Sequence, residues 1–182
     1  MIAFVAKKAN PSKASSKKLD IDRRSGCPLS VALDLFGDRW SLLVVRDMMV
    51  RGYRTFREFQ RSGEGIATNI LTDRLQRLEA GGVVEREAAE SDGRSTYYRL
   101  TEKGIALAPV LLEMLLWSAR HEETDAPRTV IDQMEQNRAA VLAETRRRWA
   151  ERDPTPMLPP FRSLPGAPID PTKTSKKGAS KQ

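Results

Sequence analysis

The residue types that most often build chemistry are nearly missing: the 182-residue chain has one cysteine, Cys27, and one histidine, His121. A single cysteine closes no internal disulfide, and one histidine removes most metal sites and catalytic triads. No nucleophile-base pair, phosphate-cradling glycine loop or metal-ligand spacing is present, so an enzyme is not expected and no cofactor or metal is implied. Nor does any stretch hold the roughly 18 to 20 apolar residues of a membrane span, and the apolar opening Met1 to Ala6 is too short for a signal peptide. The expectation is a soluble protein of the reducing cytoplasm, associated with the nucleoid if it binds DNA. Positive charge is also scarce where it would matter. The formal charge is +7, yet residues 1–24 hold seven Lys and Arg against two Asp, and residues 151–182 hold six against three acids. The core between them has 18 against 19. Net charge therefore says nothing for a nucleic-acid surface on the core, and the placement of individual arginines must decide.

The tails separate by composition. Residues 1–24 are rich in Lys, Ser and Ala, and residues 151–182 in Pro and Lys, so neither repays the entropy of ordering, and each is expected to be a disordered tail. Between them Cys27-Pro28 opens a helix over Pro28 to Phe36, with Val31, Leu35 and Phe36 on one face. Asp38 caps a second helix, Arg39 to Val50, with Trp40, Leu43, Val44 and Met48 as its buried stripe, and Arg51-Gly52 is the exit. After an extended piece, Tyr53 to Thr55, the run Thr55-Phe56-Arg57-Glu58 fits a capping box for a third helix ending near Gln60. Ser62 to Gly65 is the turn before a fourth helix, Ala67 to Ala80.

That fourth helix carries Leu71, Leu75 and Leu78 on one face and Asn69, Thr72, Asp73, Gln76 and Arg77 on the other. Gly81-Gly82 stops it. Val83 to Glu90 and Ser95 to Leu100 flank Ser91-Asp92-Gly93-Arg94, a hairpin signal. Helix, turn, helix and hairpin in this order predict a mainly α fold with one small β-hairpin (α+β): a winged helix-turn-helix. Thr101 caps a fifth helix whose run Ile105 to Trp117 is apolar nearly all round, more than a small core needs. A sixth, Ala126 to Ala150 with Asp125 as cap, is expected within the C-terminal segment 122–150. The surplus apolar faces point to dimerisation through the C-terminal helices, with Leu111, Met114, Leu115, Trp117, Met134 and Val141 as candidates. In such a dimer Trp117 is also a candidate wall of an effector pocket.

A helix presented over a short turn can enter the major groove, where short polar side chains reach base edges. Thr68, Asn69, Thr72, Asp73, Gln76 and Arg77 are the candidates, Arg77 suiting guanine and Asn69 adenine. Arg94 at the wing tip and Arg99 on the returning strand are candidates for the minor groove or phosphate, and Arg54 and Arg57 for phosphate clamps. For Arg39 and Arg74, internal pairing with an acid competes with contact. The Arg146-Arg147-Arg148 triplet suits a helix end better than DNA. The competing reading is a winged helix used as a protein-interaction module, with only nonspecific DNA attraction from its basic tails.

Four separated motifs carry a resemblance: C-P-L-S-V-A-L-D-L-F-G-D-R-W-S-L-L-V-V-R-D (Cys27 to Asp47), F-R-E-F (Phe56 to Phe59), G-I-A-T-N-I-L-T-D-R-L-Q-R-L-E (Gly65 to Glu79) and Y-Y-R-L-T-E-K-G (Tyr97 to Gly104). Over residues 25–121 the chain closely resembles the HxlR family of bacterial winged-helix transcription regulators. The resemblance implies a homodimer that binds double-stranded operator DNA, mostly as a repressor. It departs at Ala67, where many relatives have serine, which leaves Thr68 to cap the helix or touch phosphate. Cys27 stands where several relatives sense oxidants, quinones or aldehydes, which implies an oxidant or small-molecule effector. Its place at a helix N-terminus near Arg23 and Arg24 favours a thiolate, against the commoner fate of a small packed thiol.

Overall fold

The computed structural model describes residues 25–88 and 96–157. Both expected tails, apart from 151–157, and the turn Ser91 to Arg94 lie outside the described residues. Along the chain run α1 (Pro28–Phe36), α2 (Ser41–Val50), α3 (Phe56–Gln60), α4 (Thr68–Ala80), β1 (Val84–Ala88), β2 (Thr96–Leu100), α5 (Glu102–Ile105), α6 (Ala108–His121), α7 (Arg128–Gln136) and α8 (Arg138–Glu151). The architecture is the expected winged helix-turn-helix, mostly helical with one antiparallel hairpin in which Val84 faces Leu100 and Ala88 faces Thr96. No helix of the described residues is long and apolar enough to cross a membrane.

Local chemistry sets most boundaries. Asp38 accepts the amide hydrogens of Trp40 at 2.7 Å and Ser41 at 2.9 Å, so the regular helix starts at Ser41, two residues later than expected. Burial raises the Asp38 carboxyl, but the Ser41 hydroxyl, these two amides and Arg74 outweigh it and hold the group below its ordinary value. Asp38→Ala is expected to cost about 1 to 2 kcal/mol in denaturant unfolding at neutral pH. Because the folded pKa is depressed, this stabilisation is complete above the unfolded-state pKa. It is lost as pH falls through the folded one, so variant and parent should converge in acid. The α3 capping box is complete: Thr55 Oγ1 accepts from the Glu58 amide, and the Glu58 carboxylate accepts from the Thr55 amide at 2.7 Å. At the other end of α4, Gly82 adopts φ 68°, where a side chain would be strained, and Val83 donates to the Leu78 carbonyl at 2.9 Å.

Further boundaries differ from the sequence reading. The fifth helix is two, α5 and α6, since Pro109 has no amide hydrogen to give the Ile105 carbonyl. The sixth is also two. Asp125 does not cap it, because Pro127 disfavours helical backbone at Ala126 and α7 begins at Arg128. It breaks again at Asn137, whose backbone leaves the helical region at φ −119° and ψ 32° while its side-chain amide shares the Gln133 carbonyl, at 2.9 Å, with its own backbone amide. The start of the expected C-terminal tail is ordered as well. The chain turns at Arg152 and runs back over α2, where the Met157 amide donates to the Val50 carbonyl at 2.7 Å. Gly52, at φ 68°, admits this close pass, since a Cβ there would stand 2.4 Å from the Pro154 carbonyl oxygen.

Among the described residues, two clusters of buried side chains result. The larger joins α1 to α4, the hairpin and α5 around Val45, Phe59, Leu71, Leu75, Leu78 and Val83. The smaller, Leu112, Leu116, Ala119 and Ile131, packs α6 against the C-terminal helices.

Candidate nucleic-acid interface

Helix α4 is anchored by Leu71, Leu75 and Leu78, each at most 1% exposed, so its opposite face is presented to solvent. Thr68, Asn69, Thr72, Asp73 and Gln76 are all exposed on that face. Thr68 does not cap the helix: Ala67 occupies the N-cap without a side-chain bond. Instead the Thr68 hydroxyl accepts from Gln60 Nε2 at 2.7 Å, tying α3 to the front of α4. Thr72 donates to the Thr68 carbonyl at 2.9 Å, and Asp73 pairs with Arg74 at 3.1 Å. Gln60 is a member of this surface that no local pattern singles out, because its role depends on the angle between two helices.

The turn between α3 and α4 is stitched to α2. Asp47, 2% exposed, lies 2.7 Å from Arg46 and 3.2 Å from Arg51. Arg46 continues to Glu64 at 3.0 Å, and Arg51 donates to the Ser62 carbonyl at 2.8 Å. Burial pushes the Asp47 carboxyl above its ordinary value despite the two arginines. Removing the buried Asp47 from such a network costs several kcal/mol, so the turn is held firmly. From the other side the Phe59 ring meets Tyr53 and Tyr98 edge-on, with centroids 6.3 and 6.2 Å away.

A helix carrying short polar side chains, braced over a fixed turn and followed by a hairpin, matches one known family, HxlR-like helix-turn-helix, over residues 35–126. The chain belongs to that family. Relatives of this HxlR-like protein are HTH-type transcriptional regulators. YybR of Bacillus subtilis is 34% identical over 109 residues, covering 60% of this chain and 86% of YybR. YodB of the same organism is 36% identical over 93 residues, or 50% of this chain and 82% of YodB, and has been solved in a quinone-bound form. Among solved structures PA1607 superposes with a TM-score of 0.52 at 41% identity, over 56% of this chain and 70% of PA1607.

The arginines of the HxlR-like domain are not equally placed. Arg57 is exposed in the first turn of α3. Arg77 is turned back toward α1, its guanidinium 3.4 Å from the Asp34 carbonyl, and is half-buried. Arg74 pairs with Asp38 at 3.1 Å and Arg39 stacks on Trp40, so internal contacts hold each of them. Arg54 and Arg99 reach the same carboxylate, Glu87 on β1, at 3.4 and 3.7 Å. Arg99 also donates to the Trp149 carbonyl at 3.2 Å, which ties β2 to α8. The Arg146 to Arg148 triplet is engaged by Glu102, Glu144 and Asp153. Arg94 lies outside the described residues.

Cys27 is exposed at the N-cap of α1, and the amides of Ser30 and Leu29 lower its thiol below the ordinary value. Of the six residues expected at a dimer interface, Leu111, Leu115, Met134 and Val141 are half-buried within the protomer, because α7 and α8 fold back on α6. Met114 and Trp117 stay 50% and 57% exposed, as do Val110 on α6 and Leu29 and Leu33 on α1. A cavity of about 360 Å³ opens between α2, α6 and α8, lined by Met49, Leu111, Met114, Met134 and Leu142 among others. Trp117 does not line it; its ring stacks near His121 at 5.3 Å.

Proposed function

We propose that this chain is a homodimeric, sequence-specific DNA-binding regulator, acting most simply as a repressor. The observation that carries the reading is the exposed row Thr68, Asn69, Thr72, Asp73 and Gln76 on α4, backed by buried leucines and braced over a stitched turn. Side chains of this kind offer donors and acceptors to base edges, Asn69 to adenine and Asp73 to the cytosine amino group. Arg57 adds a phosphate contact from α3 and Arg94 one from the wing. Half-buried Arg77 contributes only by leaving the Asp34 carbonyl. The exposed apolar residues Val110, Met114 and Trp117 support pairing of α6 with a second subunit. Cys27, exposed with a lowered thiol in a chain related to YodB, supports a response to electrophiles or oxidants.

The test is footprinting of the full chain on a genomic fragment it selects. Two protected patches about one helical turn, roughly 10 to 10.5 bp, or a multiple apart are expected. Uniform protection without sequence preference would favour the protein-interaction module. Repeating the footprint after mild electrophile treatment reads the thiol. Affinity should change in the parent and not in Cys27→Ser, and equal binding by a demonstrably alkylated parent rules out sensing.

A further inference from the structure

Three guanidinium groups from three parts of the chain meet one carboxylate on the outer face of the hairpin. Arg54 comes from the extended piece before α3, Arg99 from β2, and Arg152 from the residue that closes α8. Their nearest nitrogens lie 3.4, 3.7 and 3.1 Å from the Glu87 oxygens. Glu85, across the ladder from Arg99, is a further acid of this face, and Asp153, paired with Arg148 at 3.5 Å, lies beside Arg152. Aromatic rings support the arginines from behind: Arg54 lies over Tyr97 at 6.0 Å and Arg99 over Trp149 at 5.2 Å. Such stacking holds a guanidinium in place whether or not its carboxylate stays.

Arg152 brings a third guanidinium to the cluster from the C-terminal extension. It lies beyond the stretch that matches the family, which ends at residue 126. Its backbone is left-handed at φ 57°, an uncommon and costly conformation for a side chain of this size. Its amide bonds to the carbonyls of Arg148 and Trp149, and its side chain, 54% exposed, reaches Glu87. A cleft of about 60 Å³ beside the cluster is lined by Arg54, Arg99, Arg148, Arg152, Asp153 and Trp149 among others. That is about two water volumes, enough for phosphate oxygens.

We propose that this cluster is a seat for a backbone phosphate of the DNA, contributed in part by the C-terminal extension. Glu87 fills it in the free protein as an internal counter-ion that the phosphodiester displaces. The proposal rests on the DNA-binding reading and extends it. The seat is continuous with that surface: Arg54 precedes the α3 capping box by one residue, and Glu87 and Arg99 stand on β1 and β2 of the hairpin that follows α4. A phosphodiester has one negative charge, like the carboxylate it replaces, and its paired oxygens suit forked guanidinium donors. The released Glu87 returns to water, so the exchange leaves no charge buried without a partner.

The experiment compares full-length parent, Arg152→Ala, Arg152→Lys and Glu87→Gln on operator and unrelated duplexes across a salt series. Arg152→Ala should weaken both duplexes alike, on the order of tenfold at low salt, and reduce the slope of log K against log salt by about one. Arg152→Lys should recover the slope. Glu87→Gln should bind both duplexes more tightly, an effect opposite to that of a lost structural clasp. Unchanged affinity in Arg152→Ala, or weaker binding by Glu87→Gln, overturns the proposal and leaves Glu87 as a clasp between extension and hairpin. If inorganic phosphate protects the parent from thermal unfolding while Arg152→Ala binds DNA normally, the seat takes a free anion and the proposal falls. A parent that prefers neither duplex would instead sink the sequence-specific reading itself, so the two failures are distinguishable.

Discussion

Phe59→Ala is expected to lower the unfolding free energy by about 3 to 5 kcal/mol, the largest effect of any single truncation proposed for this chain. Phe59 is 1% exposed and belongs to a helix of only five residues, α3, which has few other means of attachment. Its ring touches Tyr53 on the extended piece and Tyr98 on β2, so the truncation removes two edge-on aromatic contacts as well as apolar burial. Domains of this size have about 5 to 15 kcal/mol in total. The loss should appear as a lower urea midpoint with little change in slope. A loss under about 1 kcal/mol would show that α3 is held by its capping box and the Asp47 network instead.

Asn69→Ala is expected to leave stability nearly unchanged and to relax reading of one base pair. Asn69 is exposed at the front of α4, and among the described residues no hydrogen bond to its side-chain amide competes with a base. A bidentate amide-adenine pair is worth about 1 to 3 kcal/mol of discrimination, or roughly 5- to 150-fold in relative affinity. Competition binding with operators substituted one position at a time would show the preference collapse at one position in each half-site. An unchanged profile would remove Asn69 from the reading surface. Because the side chain is already in water, a stability loss is not an available explanation for the result.

The helix-turn-helix and hairpin were legible because their signals are local. The capping box at Thr55 and Glu58, Pro28 at the first turn of α1, and the diglycine after α4 each act within a few residues, and each works in the structure as its chemistry requires. The breaks at Pro109, Ala126 and Asn137 were equally local. Apolar periodicity running through them masked the missing amide of Pro109, the constraint that Pro127 puts on Ala126, and the backbone-seeking side chain of Asn137.

Partners distant in sequence were not legible. Arg77 has the exposure pattern of a contact residue when viewed on its own helix. The Asp34 carbonyl, 43 residues away, draws it inward, and the Trp149 carbonyl, 50 residues from Arg99, ties that arginine to α8. Met134 and Val141 likewise read as an unpartnered stripe until α7 and α8 fold back onto α6. A sequence states what a side chain can bond to, but not which distant group arrives first.

Sequence alone determined the family, the order of elements and the polar front of α4, because helix periodicity, caps and turn residues are near-neighbour properties. Only the tertiary structure decided which arginines remain available and that residues 152–157 return to α2. It also decided that Arg54, Arg99 and Arg152 converge on Glu87. Those outcomes depend on how helices pack, and packing is set by the summed fit of buried surfaces rather than by any one stretch of chain.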